Sequence, residues 1–336
     1  MLAKKQSGCE NKRSPEINNV PEMIATRFGY SDGLLEIGAT NDRIVVLDAD
    51  LSRSTTTEKF QKKYPDRFFQ MGICEQNMMT VAAGMAVAGD IPFATDYGVF
   101  LLGRAMDQLR VSVCYTGLNV KLGGAHSGVS VGADGATHQA LEEVSWTRCL
   151  PGMTVIVPAD YHDTVKAVKA VAAINGPCYI RFGRAPMPVI TKKDDPFEIG
   201  KGNLYREGKD VTIFSMGAML WQAMIAADTL SAKGIQARVV NMHTVKPLDN
   251  EAVIAAARET GAIVTAEEHQ YFGGLGSAVA EVIVENHPCP MKRVGVKDRF
   301  GESGTPDELF REYGLLAEDI VKAAYDVLER KNHPKK

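Results

Sequence analysis

The residues of this chain that could do chemistry fall mainly in two stretches. The first is Gln70-Met71-Gly72-Ile73-Cys74-Glu75-Gln76-Asn77-Met78-Met79, which runs on to Gly89 apolar at almost every position, with small residues throughout. Such a run predicts a helix buried on all sides, with one carboxylate, Glu75, at its entrance. Desolvation there favours the neutral acid while the positive helix end favours the anion, so Glu75 is poised for proton exchange with a bound partner. A plain helix cap lying in solvent is the alternative. The second stretch, Gly123 to Gln139, is irregular and holds five glycines, His126, His138 and Asp134. Long irregular segments inside compact domains are functional or disordered. Strong elements on both sides favour function here, against glycines that merely permit a surface crossing.

The elements that must position these residues alternate between strand and helix. Pro21 opens a helical pattern through Ile24, Phe28, Leu34, Leu35 and Ile37 that carries Arg27. Ile44 to Leu47 reads as a buried parallel strand, and Asp50 and Ser54 lie just beyond its carboxyl end, where open α/β sheets bind ligands; both could equally make the turn. Further strands are expected at 91–94, 119–122, 153–157 and 177–182, with helices at 98–115, 139–148 and 160–175. The last strand delivers Arg181 and Arg184, of which one need face a site while the other can be a surface charge. Periodicity then lapses among Pro186, Pro188 and Pro196, and a second alternation of strands (211–215, 237–241, 262–266, 293–296) and helices (218–233, 250–260, 275–286, 317–331) follows. The expected organisation is a tail at 1–15, a first domain at 16–190, a linker at 191–209 and a second domain at 210–332. Both domains are α/β with a parallel sheet, and no repeat relates them. The Phe272-Gly273-Gly274-Leu275-Gly276 turn beside His269 does not fit Gly-x-Gly-x-x-Gly, so its glycines are read as close packing at a helix start.

Composition narrows the class of function. The 336 residues carry a formal charge of -3, well mixed along the chain, which gives no footprint for nucleic acid or an anionic membrane. The six cysteines are widely spaced, mostly within apolar runs, and read as buried free thiols of a reducing compartment, the cytoplasm. No apolar run reaches the length of a membrane span, and the first fifteen residues lack the apolar core of a secretory signal.

Gly-Ile-Cys-Glu-Gln-Asn-Met at 72–78, followed by Gly-Ala-Asp-Gly-Ala-Thr-His-Gln at 132–139, resembles the pyrimidine-binding domain of transketolases and 1-deoxyxylulose-5-phosphate synthases. The second half resembles the family's C-terminal domain, so the likeness spans roughly residues 15 to 330. It implies that Glu75 hydrogen-bonds a ring nitrogen of the aminopyrimidine of thiamine diphosphate, and that the cofactor carries a two-carbon ketol unit from a ketose to an aldose. It places Tyr97 and Phe100 at the cofactor, with Gly103 where the family has a third aromatic residue, and Asp50, a candidate from its place beyond the strand end, is expected at the cofactor with them. It makes His126 and His138 the residues that assist proton transfer, Asp134 the reader of a substrate hydroxyl, and Arg27, Ser54, His126 and Arg184 the holders of a sugar phosphate.

The family's Gly-Asp-Gly segment, which with a later asparagine holds magnesium and the diphosphate, does not occur in this sequence. The resemblance therefore implies a split enzyme: this chain as C-terminal subunit, with no metal ligands of its own, and an N-terminal subunit supplying the magnesium site. Two copies of each chain are expected, self-associating through both domains. The runner-up is the beta subunit of a 2-oxo acid dehydrogenase decarboxylating component, and behind it a non-catalytic subunit of the same fold.

Overall fold

The computed structural model describes residues 21–333; the expected tail at 1–15, and Cys9 with it, lie outside the described residues. In chain order the first domain comprises β1 (Met23–Ala25), α1 (Thr26–Gly38), β2 (Ile44–Asp48), α2 (Ser52–Thr55), α3 (Glu58–Lys63), β3 (Phe68–Gln70), α4 (Glu75–Ala88) and β4 (Ile91–Tyr97). It continues with α5 (Gly98–Gln108), β5 (Lys121–Ala125), α6 (Glu143–Arg148), β6 (Thr154–Ile156), α7 (Tyr161–Ala173), β7 (Cys178–Arg181) and β8 (Pro186–Pro188). The second domain comprises β9 (Asn203–Arg206), β10 (Val211–Ser215), α8 (Met219–Ser231), β11 (Ala237–Asn241), β12 (Thr244–Lys246) and α9 (Asn250–Glu259). Then come β13 (Ile263–Gln270), α10 (Leu275–Asn286), β14 (Met291–Val296), α11 (Pro306–Glu312) and α12 (Ala317–Asn332).

The architecture is α/β with two parallel sheets. The larger runs β12-β6-β7-β5-β4-β2-β3, and the smaller β14-β13-β10-β11-β9. β2 and β4 are buried at every position, as central parallel strands covered on both faces must be. Each sheet also takes one antiparallel edge strand that periodicity did not announce. β12 leaves the second domain to pair with β6 of the first, and β9 pairs with β11.

Several expected boundaries shift for physical reasons. The helix assigned from Pro21 begins only at Thr26, because Met23–Ala25 pairs antiparallel with Pro186–Pro188 and Ile24 serves that ribbon instead. β9 falls inside the stretch expected to be linker. β5 extends to Ala125, so Gly123 and Gly124 are strand residues; a Cβ on Gly124 would land on the Tyr179 ring. The helix expected from Gln139 starts at Glu143, because Gln139 turns its side-chain amide onto the carbonyls of Val129, Gly132 and Glu302. α11 begins on a Thr305/Glu308 capping box that the sequence reading passed over.

α4 corrects another expectation. Only Glu75, Met78, Met79, Ala82 and Ala83 are buried, while Thr80, Gly84, Val87 and Ala88 face outward. The run is apolar all round, yet this chain covers one side of it. The cysteines are likewise less buried than expected: Cys178 is buried, Cys74, Cys114 and Cys289 are half-buried and Cys149 is exposed, all with free thiols. Among the described residues no helix is long and apolar enough to cross a membrane.

The contact of Gly124 with Tyr179 yields a stability prediction. Gly124→Ala should lower unfolding free energy by about 1–3 kcal/mol through overpacking, measured by urea denaturation. Gly152→Ala, where nothing lies within 4 Å but φ is +76°, should cost about 1 kcal/mol through backbone strain alone.

Candidate functional site

The neighbouring strands β4 and β5 end side by side, with Tyr97 opposite Ala125, and so bring Tyr97 and His126 together at the carboxyl edge of the large sheet. Their rings stack at 3.9 Å with 17° between planes. Phe100, in the first turn of α5, extends the stack at 5.7 Å from Tyr97. His138, from the far end of the glycine-rich loop, meets Tyr97 and Phe100 edge-on at 5.9 and 5.2 Å. Its Nδ1 lies 2.8 Å from the Thr137 hydroxyl.

Two arginines surround this cluster. Arg27, in the first turn of α1, donates to the Ser54 carbonyl at 3.0 Å. Arg184, just past β7, donates to the Val131 carbonyl at 3.0 Å and lies 3.8 Å from Asp134. Burial, and next the charge of Arg184, lowers the Arg27 pKa from its ordinary value. Two guanidiniums aimed at one space, with Asp134 as the carboxylate beside them, make a natural seat for an anionic group.

His126 sits at φ 52°, the left-handed region, and is only 1% exposed, with Nδ1 buried and unpartnered. Burial, followed by the charges of Arg27, Arg184 and His138, pushes its pKa down to about 3. It is a neutral imidazole at physiological pH, a hydrogen-bonding group with one ring nitrogen waiting for a partner. Burial also raises the Tyr97 hydroxyl above its ordinary value, with Ser54 opposing that shift and Asp134 adding to it.

Glu75 stands next door. It opens α4, is 5% exposed, and accepts a hydrogen bond at Oε1 from Arg104, whose guanidinium lies 4.2 Å from the centre of the Phe100 ring. Gly103, the position at which the resemblance puts the family's third aromatic residue, faces Trp146, with nothing nearer than 3.8 Å to a Cβ there. Asp50 is exposed at φ 68°, and its N–H donates to Gln70 Oε1 at 2.7 Å on the β3 side of the sheet. The structure thus assembles Arg27, Ser54, Tyr97, Phe100, His126, Asp134, His138 and Arg184 in one place and sets Glu75 beside them, while the hydrogen bond of Asp50 goes to Gln70. Among the described residues no three histidines, cysteines or carboxylates gather as a metal site.

Sequence reasoning missed what supports the cluster. Arg181 is no surface charge: it is buried, bonded to Glu143 Oε1 at 2.5 Å and to the Glu268 carbonyl at 2.7 Å. Glu268 in turn accepts the Ser130 N–H at 2.5 Å, and a Cβ on Gly128 would strike the Glu268 carboxylate. The second domain therefore presses the glycine-rich loop into shape. Asp96 and Arg104 were missed as well. Arg104 lies one helical turn from Phe100, a signal that could have found it.

Residues 22–188 match the family description "Transketolase, pyrimidine binding domain" and residues 200–320 match "Transketolase, C-terminal domain". The chain is 47% identical, over 91% of its length and 95% of the relative's, to the 6-deoxy-6-sulfo-D-fructose transketolase subunit SqwH of Clostridium sp. (strain MSTE9). The chain belongs to the transketolase family. It is a transketolase-type C-terminal subunit: one of the apulose-4-phosphate transketolase subunits of Phocaeicola vulgatus is 39% identical over 92% of this chain and 99% of that relative. The transketolase of Homo sapiens is 36% identical, with this chain spanning 52% of its length. A solved structure described as "Split gene transketolase, inactive beta4 tetramer" superposes with a TM-score of 0.86 at 52% identity, covering 92% of this chain and 99% of that one. The reading as a 2-oxo acid dehydrogenase component gives way to these transketolase relatives.

The buried imidazole makes a pH prediction. With its pKa held at about 3, the His126 ring should show no titration between pH 5 and 8 by NMR of histidine-labelled protein. Removing one repelling charge with Arg184→Met should move that pKa upward; a His126 signal titrating near its ordinary value in the unsubstituted chain would contradict the buried geometry.

Proposed function

We propose that this chain forms the pyrimidine side of a thiamine diphosphate-dependent ketol-transfer site and seats a ketose whose far end carries an anion. The observation that carries the proposal is the convergence of Arg27, Arg184 and the unpartnered His126 on one space beside Glu75. The residues present fit the cofactor: a buried carboxylate bonded through Oε1, flanked by the Tyr97 and Phe100 rings that could stack on a flat heterocycle. When bound, thiamine diphosphate supplies the carbanion chemistry that holds the two-carbon unit.

In this proposal Glu75 accepts or returns a proton at the aminopyrimidine ring nitrogen, in a site from which the apolar side of α4 excludes water. His126, neutral, offers Nδ1 to a substrate oxygen. His138, half exposed and steadied by Thr137, exchanges the proton of a substrate hydroxyl. Asp134 accepts a hydrogen bond from another hydroxyl, while Arg27 and Arg184, with Ser54, hold the anionic end. The names of the relatives, with a sulfonated and a phosphorylated sugar, suit such a clamp. Magnesium and the diphosphate belong, in this proposal, to an N-terminal subunit that docks where Asp50 is exposed. The outward face of α4, with Val87 on it and Ile73 in the turn before it each 74% exposed, is where chains associate in this proposal.

Calorimetric titration tests the cofactor part. Thiamine diphosphate with magnesium should bind the chain mixed with its N-terminal subunit, not the chain alone, and Glu75→Gln should weaken binding or abolish transfer. Tight binding to this chain by itself would overturn the division of labour. Arg184→Met should raise KM for a phosphorylated or sulfonated ketose by about 10- to 100-fold, the worth of one charged hydrogen bond, and leave an uncharged ketose nearly unaffected. Equal losses on both substrates would remove Arg184 from the anion clamp.

A further inference from the structure

Asp96 is the last residue of β4 before Tyr97 and is fully buried. Its Oδ1 accepts the Tyr97 N–H at 2.6 Å. Its Oδ2 is buried with no hydrogen-bond partner, and the first charge to act on it is that of Glu75. Two carboxylates that act on each other cannot both be charged when one of them is wholly removed from water. The Arg104 guanidinium is spent on Glu75 Oε1, and the other acid acting on Asp96, Asp48 on β2, adds repulsion rather than relief. The orphaned oxygen is accounted for if it carries a proton.

We propose that Asp96 is a neutral carboxylic acid that donates a hydrogen bond to the Glu75 carboxylate and acts as a positioning residue for it. Glu75 is then held from two sides, by the Arg104 guanidinium and the Asp96 acid, and keeps a lone pair for a ligand. No proton leaves the pair: Asp96 retains its own and shares it across the contact. Burial, with the negative charge of Glu75 among the lesser contributions, pushes the Asp96 carboxyl up to about 8, which agrees with the geometry. The catalytic meaning of this contact rests on the reading of Glu75 given above; the protonation state of Asp96 does not.

The test begins with the full chain without cofactor. Infrared difference spectra between the unsubstituted chain and Asp96→Asn, at pH 7, should show one carboxylic acid band that vanishes as pH rises through about 8. A difference spectrum with no carboxylic acid band, showing only the loss of carboxylate bands, would mean that Asp96 is ionised and the proposal is wrong. Because the folded value exceeds the ordinary 3.8, stability from this group is complete below pH 3.8 and is lost as pH rises to about 8. The melting-temperature advantage of Asp96→Asn over the unsubstituted chain should therefore grow across that window and then level off; an advantage independent of pH would count against the shared proton.

In the complex with the N-terminal subunit, Asp96→Asn keeps an N–H donor toward Glu75 and should bind thiamine diphosphate with magnesium as the unsubstituted chain does. Asp96→Leu should weaken that binding by about tenfold, the loss of one hydrogen bond to a charged group. Equal binding by the two variants would remove the positioning role. If Glu75→Gln leaves cofactor affinity intact while the infrared band is present, the reading of Glu75 fails and the protonated Asp96 stands.

Discussion

The site depends on a buried ion, the Arg181 guanidinium, at the point where the two domains meet. It bonds Glu143 at the start of α6 and the Glu268 carbonyl of β13, while the Glu268 side chain reaches back to the Ser130 N–H of the glycine-rich loop. Burial pushes both carboxyls upward and Arg181 pulls them back toward the charged form. Such a network adds little net stability over an apolar core, but losing one member strands the others at a cost of about 3–5 kcal/mol. Its worth is in specificity: one arrangement of loop, helix and second domain satisfies all these charges together.

That arrangement shapes the loop carrying His126, Asp134 and His138. The backbone turns through positive φ at His126, Gly128, Gly132 and Gly135. At Gly128 the reason is spatial as well as torsional, since the Glu268 carboxylate occupies the room a Cβ would take. The left-handed backbone of His126 is a strain that the surrounding contacts hold in place, and it sets the imidazole flat on Tyr97 with one nitrogen unpartnered. A site that must exclude water and present polar atoms accepts such costs where its fold is over-determined.

The helix that Glu75 opens is covered on one side only. α4 buries Met78, Met79, Ala82 and Ala83 against the core and turns Thr80, Gly84 and Val87 outward. The interface proposed for this face, at the entrance of which Glu75 stands, suits relatives that are subunits and a structural neighbour that is a tetramer.

The sequence by itself determined the alternation of strands and helices, because parallel strands covered on both faces must read as apolar runs such as Ile44–Leu47 and helices must show their period. It also carried the chemistry-bearing residue types, since Glu75, His126, Asp134 and His138 stand out against glycine and apolar neighbours. It could not show that Asp50 bonds to Gln70, that Arg181 is a buried strut, or that Asp96 is buried with one oxygen unpartnered. Nor could it show that β9 and β12 close the sheet edges, for an isolated three- or four-residue strand carries no period. Those are contacts between segments distant in the chain, and only the tertiary structure decided them: whether a charge is buried, and what it meets there, depends on which elements close over it.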